Sequence, residues 1–274
     1  MDLSIFTHMT NPEERMDPWK EGLNCYSFFS DDVFSVGDGW EEEFTWSKIG
    51  KVFHEGFEKA EGDWVLNISL DMFLHEKDKE RLLNYLEIYK DEPALALPKV
   101  KFYDPYRYQI SNFETVLLNK RKYKEIKLNG GRDLCIPTLN GKILEMPNVK
   151  FINIPLFNYD TTFRTKKIIA HDRGRFARAW FREFNTYGDR GGGTPEEAFE
   201  AWFSGVSERY KNHTSKFDID CHPTFIQDKL KSLKKDQFGF DLFGLINNKF
   251  LLQNPKYYLR QTRIKQKYNL FNLI

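Results

Sequence analysis

Residues 49–76 read IGKVFHEGFEKAEGDWVLNISLDMFLHE, and the passage from Ala60 to Asp71 inside them decides the fold. Ile49, Val52, Phe53 and Phe57 recur at helical spacing, which predicts the buried face of a helix over residues 44–60. Gly62-Asp63 then breaks the periodicity and turns the chain. Residues 64–70, WVLNISL, form a short apolar run of the kind expected for a strand covered on both faces. That run ends on Asp71. In an open α/β sheet the carboxyl ends of the parallel strands form the ligand crevice, so an acid here is expected where chemistry is done.

Working outward, residues 3–7 predict a first short strand, Trp19–Phe29 a helix, and residues 33–36 a second strand closed by Gly37-Asp38-Gly39. Strand, helix, strand, helix, strand is the pattern of parallel pairing through right-handed crossovers. The expected class is therefore α/β: a Rossmann-type, mostly parallel central sheet flanked by helices, with a helical C-terminal elaboration. Further along, residues 77–89 read as a helix. Residues 94–103 read as a strand whose Pro98 places it at a sheet edge or a bulge. The aromatic stretch 103–108 reads as a loop, and Asn129-Gly130-Gly131 and Asn140-Gly141 read as hairpin turns. A strand over 149–156, an amphipathic helix over 172–184, a glycine-rich turn over 188–193 and a helix from Pro195 follow. No linker separates independent domains. We divide the chain into residues 1–110, 111–223 and a basic, aromatic C-terminal elaboration at 224–274.

Composition narrows the function. The 41 Lys and Arg balance 40 Asp and Glu, so no global field points to nucleic acid. Three cysteines, Cys25, Cys135 and Cys221, make no CxxC pair, which fits a reducing compartment and a cytoplasmic location. No run approaches the roughly 18 apolar residues of a membrane span, and MDLSIFTHMT reads as a strand, not a signal peptide. From Lys229 onward the acids are only Asp236 and Asp241 among many Lys and Arg. Such a tail suits peripheral contact with an anionic membrane or, more plainly, a charged solvated surface.

The order of these segments resembles family 2-type glycosyltransferases of the GT-A fold. Those enzymes share Asn-x-Gly, then Ala-x-Gly-Asp/Glu-aromatic, then an apolar strand ending Leu-Asp-x-Asp. Here His54-Glu55-Gly56 stands at the first element, Ala60-Glu61-Gly62-Asp63-Trp64 at the second, and Ile68-Ser69-Leu70-Asp71 at the last. Gly37-Asp38-Gly39 looks like the family's turn after strand two. The resemblance covers about the first 75 residues. The segment HDRGRFARAWFREF from His171 also resembles glycosyltransferase-like proteins of viral and bacterial surface-glycan clusters. The chain departs from the family in carrying Ser69 where the first acid of the DxD stands, and His54 where Asn is usual.

The resemblance implies residues 1–110 as the nucleotide-sugar-binding half, 111–223 as the acceptor-side half, and transfer of a sugar from a UDP- or GDP-sugar to a glycan or lipid-linked hydroxyl, by inversion. Asp71 would hold Mn²⁺ or Mg²⁺, which accept one or two carboxylates plus phosphate oxygens. Thr7, Asp38 and Ser69 would contact the nucleoside half of the donor. Asp172 would be the base, with Asp160 and Glu183 as rivals, and His222 a further metal ligand. Each has a structural alternative: a turn aspartate at 38 or 71, a helix cap at 172, a satisfied core histidine at 222. His75, His213 and the arginines 173, 175, 178 and 182 carry the same ambiguity. The glycine-rich 188–194 lacks the Lys-Ser/Thr ending of a phosphate loop. Two other readings stay open: a nucleotide-binding protein of this fold without turnover, and a sugar-nucleotidyltransferase.

Overall fold

The computed structural model of the chain describes residues 1–128, 136–247 and 254–271. Strand β1 (Leu3–His8) lies between β2 (Asp32–Val36) and β3 (Trp64–Asn67) and is parallel to both, with helices α1 (Trp19–Phe29) and α2 (Trp46–Lys59) making the two crossovers. The N-terminal βαβαβ expectation is borne out. Two glycines of the deciding stretch let these layers close. A Cβ on Gly56 in α2 would lie 2.4 Å from the Phe6 ring, and one on Gly62 would lie 2.7 Å from the Ser4 backbone nitrogen. Gly62 also donates its N–H to Ser4 Oγ over 2.7 Å. Ile49, Val52, Phe53 and Phe57 are buried, as their spacing predicts.

Beyond β3 come β4 (Met72–Phe73), α3 (Lys79–Ile88), β5 (Ala94–Asp104) and β6 (Arg107–Asn119). Then follow β7 (Lys127–Leu128), β8 (Pro137–Leu139), β9 (Lys142–Ile143), β10 (Lys150–Phe151) and β11 (Leu156–Asn158). The main sheet runs β2-β1-β3-β6-β5-β11-β4. Strand β6 is antiparallel to both β3 and β5, and β4 is antiparallel to β11. The sheet is therefore mixed, which corrects the expectation of a mostly parallel one. The reason is the β5–β6 hairpin. Its turn uses the stretch read as a loop, with Tyr106 N–H donating to Asp104 Oδ1 over 2.8 Å. Pro98 is not at an edge either, since β5 is paired on both sides. It falls in the gap between β10, which pairs with Leu95 and Ala96, and β11, which pairs from Lys99 onward. The same gap splits the strand expected over 149–156. Pairing shifts at Leu95/Ala96 and Lys99/Val100 supply the irregularity a strand proline needs.

A small second sheet, β7-β8-β9, turns at Asn140 (φ 51°) and Gly141 (φ 76°), the left-handed pair a two-residue hairpin requires. The Asn129-Gly130-Gly131 turn and Cys135 lie outside the described residues. Helix α4 (Lys166–Phe184) starts six residues earlier than expected, capped by Thr165, so Asp172 lies inside the helix and not at its N-terminus. Helix α5 (Pro195–Tyr210) carries a Thr194–Glu197 capping box. The glycine-rich turn before it is packed: a Cβ on Gly191 would lie 2.4 Å from the Glu197 carbonyl oxygen. Strand β12 (Ser215–Lys216), α6 (Thr224–Lys231), α7 (Phe238–Asp241) and α8 (Pro255–Lys267) complete the described chain. Strand β6 crosses the 110/111 division, and β11 and β12 from the second segment pair with β5 and β6, so the two halves share one sheet. No described helix is long and apolar enough to cross a membrane.

Candidate functional site

Strands β1 and β3 end side by side at His8 and Asn67, and the chain leaves β3 through Ile68-Ser69-Leu70-Asp71. The Met72 N–H donates to the Ser69 carbonyl over 2.9 Å, closing a turn. The Tyr26 hydroxyl lies 2.8 and 2.9 Å from the carbonyl oxygens of Ser69 and Met72 and ties that turn to α1. In front of it lies a crevice of about 400 Å³ lined by His8, Asn67, Ser69 and Met72, by Lys99 and Glu114 from the β5–β6 pair, and by Phe53, Phe113 and Leu144. One wall is thus apolar and aromatic and the other polar. His8 packs against Phe53 with ring centroids 4.3 Å apart, and its Nε2 is 3.4 Å from Ser69 Oγ. Burial pushes the His8 imidazole down to about 4, with Arg15 adding to the effect, so it is neutral at physiological pH. Lys99 and Glu114 form an ion pair across the crevice edge.

Behind Ser69, the charged groups converge. Asp71 is half-buried, and its Oδ1 is shut off from solvent with no hydrogen-bond partner. Burial pushes its carboxyl up to about 7; Asp160 adds to the rise and Arg164 opposes it. Asp160 goes the other way. Burial alone would raise it, but Lys101 at 2.8 Å and Arg173 at 3.5 Å hold it well below the usual carboxylate range. Asp160 also sits at φ 38°, in the left-handed region that Asp enters more readily than most residues. Arg164 links this pair to a further buried network. Its guanidinium bonds to Asp17 and, over 2.9 Å, to Asp172, while its charge acts on Asp71 and Asp160. Two acids in one site with opposite displacements give one group that is ionised throughout and one that changes charge near neutrality.

The sequence-selected residues fall into two groups. Ser69 lines the crevice, and Asp71 lies between two lining residues, Ser69 and Met72. Asp160 stands beside Asp71, as the Asp71 effect shows. Thr7 is fully buried, its hydroxyl unpartnered, and Asp38 is exposed on the β2 exit; neither lines the crevice. Asp172 is buried, with Arg15 at 3.3 Å and Arg164 at 2.9 Å on its two oxygens and Arg175 at 3.9 Å. Its lone pairs are occupied by guanidinium groups. His222 is a core residue: Nε2–H donates to the Pro105 carbonyl over 2.8 Å, so Nδ1 accepts from the Tyr159 hydroxyl at 2.8 Å. With both ring nitrogens engaged and the ring fully buried, no lone pair is left for a metal, which corrects the expected ligand role. His75 accepts from the Lys77 N–H and caps a short helical turn, and His213 is buried against Tyr103. Arg178 and Arg182 pair with Glu43 on the surface. Among the described residues no three His, Cys, Asp or Glu side chains form a ready metal-binding set. The orphaned Asp71 oxygen still suits a cation whose other ligands are phosphate and water oxygens. Sequence reasoning missed Lys99, Glu114 and Asn67. The signal for Lys99 was present: Lys99 and Lys101, two apart in an apolar strand, share one face.

These features define an α/β protein with a mixed sheet and a ligand crevice at the carboxyl ends of its parallel strands. Among solved structures the chain is similar to TarS of S. aureus. The structure of TarS 1-349 matches at 9% identity and TM-score 0.37, over 93% of this chain and 91% of that one. A longer TarS structure matches at 11% identity and TM-score 0.37, over 91% of this chain and 53% of that one. TarS 1-349 in complex with UDP matches at 9% identity and TM-score 0.37, with coverage of 93% and 91%. No family model and no curated protein matches the chain.

Proposed function

We propose that the chain is a glycosyltransferase that moves a sugar from a nucleoside-diphosphate sugar, a UDP- or GDP-sugar, to a hydroxyl acceptor on a glycan or lipid. The observation that carries this reading is the Ser69-Leu70-Asp71 turn. It places a hydroxyl in the crevice at the end of β3 and an acid with an unpartnered oxygen directly after it. The order and spacing of residues 54–71, which resemble the family 2 pattern, support the same reading.

In this reading the aromatic and apolar wall at Phe53, Phe113 and Leu144 takes the base and ribose, with Ser69 and Asn67 as hydrogen-bonding groups. Lys99 and the Arg164 charge attract the diphosphate. Asp71 would hold Mn²⁺ or Mg²⁺, which supplies charge neutralisation at the leaving diphosphate. A bound cation decides the state of Asp71: its positive charge at the carboxylate lowers the pKa and keeps the group ionised. Asp160 stays ionised beside it and orients Lys101 and Arg173. For Asp172 the ion pairs favour a positioning role, holding Arg164 toward Asp71, over that of the base.

The test is a thermal-shift panel of nucleoside diphosphates and nucleotide-sugars, each with Mn²⁺ and with chelator. A ligand that binds only the folded chain must raise its melting temperature. A metal-dependent shift with one nucleotide family supports the reading and names the donor class. Binding without any donor hydrolysis or transfer would instead point to a nucleotide-binding protein without turnover.

A further inference from the structure

Helix α8 (Pro255–Lys267) is fastened to the sheet by one side; the other borders a groove whose far edge is Glu208 of α5, with Arg260 Nη1 donating to Asn212 Oδ1 over 3.5 Å. On its inner side Gln261 is buried; its Oε1 accepts the Ile110 N–H over 2.9 Å and its Nε2 lies 3.5 Å from the Ile110 carbonyl. Lys265 donates to the Tyr108 hydroxyl over 2.6 Å, and Ile264 packs on the core. These contacts fix the rotation of the helix about its axis. At 100° per residue, Lys256, Arg260, Arg263 and Lys267 then fall within about 60° of arc on the outer face, a stripe roughly 16 Å long. Leu259 lies next to that stripe and is an exposed apolar side chain (54%).

No acid lies within ion-pairing distance of these four cations among the described residues. The acid that lines the same groove, Glu208 of α5, is already paired with Lys211. Some other exposed cations are matched, as Lys59 is with Glu55 and Lys122 with Asp91. A chain with almost no net charge has thus gathered an unmatched basic stripe on one helix face.

We infer that the outer face of α8 docks on an anionic lipid bilayer. The charge complement is phosphate-rich and planar, which a straight stripe of cations matches along its whole length. The exposed Leu259 beside the stripe selects lipid over nucleic acid, because an aliphatic side chain among phosphate contacts gains only where acyl chains lie beneath the headgroups. The C-terminal end of the helix adjoins the crevice: Tyr268, which follows α8, packs on Phe113 with ring centroids 4.5 Å apart, and Phe113 lines the crevice. Docking by this face would bring the crevice close to acceptors carried in the bilayer. That consequence rests on the sugar-transfer reading; the docking itself does not.

The experiment is co-sedimentation of the full chain with phosphatidylcholine vesicles, with and without about one-third phosphatidylglycerol, at low and high salt. The expected result is binding to the anionic vesicles alone, weakened by salt and reduced about thirty-fold or more in Arg260→Glu/Arg263→Glu. Lys51→Glu/Lys124→Glu, with the same net charge change on other exposed lysines, should bind as the parent does. Melting temperatures compared across the variants establish that each is folded. Leu259→Ser should weaken binding at high salt, where the apolar contribution dominates. Three results would overturn the proposal: no binding to anionic vesicles, equal loss in both charge-reversal pairs, or displacement from vesicles by duplex DNA through the same residues. Failure of the nucleotide panel with vesicle binding intact would remove the transferase reading and leave the docking surface standing.

Discussion

The Tyr159 N–H donates to the Asp71 carbonyl over 2.9 Å, continuing the antiparallel β4–β11 pairing and bringing two segments distant in sequence to one place. It sets Asp160, the next residue, beside Asp71. The two carboxylates then share a cluster of cations, and the cluster treats them unequally. Lys101 and Arg173 bond directly to Asp160, whereas Asp71 keeps an oxygen with no partner. The division of labour in the site follows from that asymmetry: one fixed charge and one adjustable one.

The adjustable charge makes stability depend on pH. The folded chain holds the Asp71 proton up to about pH 7, and the unfolded chain releases it near the ordinary aspartate value. The folded state therefore binds more protons between those values, and its stability falls as pH rises through that window, then levels off above it. Asp71→Asn cannot ionise and lacks this slope. Without ligand it should melt higher than the parent at pH 8 and alongside it at pH 4, and it should lose the Mn²⁺-dependent nucleotide shift. Melting curves at the two pH values decide the matter; a variant no more stable at pH 8 would show that the Asp71 carboxylate is well solvated after all.

Lys99 and Glu114 separate anion binding from simple pairing. If Lys99 contacts the diphosphate, Lys99→Met should weaken nucleoside-diphosphate binding about tenfold, and Lys99→Arg should retain most of it. Glu114→Gln frees Lys99 from its ion pair and should bind the diphosphate at least as tightly as the parent. Titration calorimetry on the three variants reads this directly. Weaker binding in Glu114→Gln would mean that the pair, not the lysine, shapes the crevice.

The buried network at Arg164 allows a test of what Asp172 does. Removing the guanidinium with Arg164→Met takes from Asp17 and Asp172 the more deeply buried of two shared partners, Arg15 being the other, and loss of one member of a buried ion pair typically costs about 3–5 kcal/mol. Asp172→Asn should also lower the melting temperature, because Arg15 and Arg164 then share less negative charge. A base would behave otherwise: its amide variant would fold as the parent does and lose turnover alone. The pairing geometry predicts the first outcome, with nucleotide affinity falling too as Arg164 shifts.

The sequence carried the first third of this architecture because its signals are local. Helical spacing in α2, the Gly62-Asp63 break and the apolar run of β3 each concern residues a few positions apart, and the structure contains all three. The hairpin that makes the sheet mixed left no such trace. Strand β6 reads RYQISNFETVLLN, without clean alternation, because part of it lines the crevice and part meets α8. Its pairing with β3 joins residues far apart in the chain. The site divides the same way. Ser69 and Asp71 were legible from their place after β3. Lys99 and Glu114 come together only through the β5–β6 pairing, and His222 looked like a ligand until Tyr159 and Pro105 were found on its two nitrogens.

The last prediction concerns why the Ala60–Trp64 passage has its particular wording. A Cβ on Gly62 would meet the Ser4 backbone nitrogen at 2.7 Å and Ser4 Oγ at 2.8 Å, and backbone cannot swing away as a flexible side chain can. Gly62→Ala must push β1 from the start of β3, and overpacking of this kind costs about 1–3 kcal/mol. Gly205, inside α5, offers the control. A Cβ there meets only the far end of Arg209, at 3.4 Å, so Gly205→Ala should raise stability by about 0.5–1 kcal/mol through helix propensity. Opposite signs at the two positions in denaturant melts would assign Gly62 to packing. Under that assignment Gly62→Ala, kept well below its melting temperature, should bind the nucleotide with nearly parent affinity. The Gly62 contact lies at the N-terminal end of β3, whereas the Tyr26 hydroxyl holds the Ser69–Met72 turn at the other end of that strand.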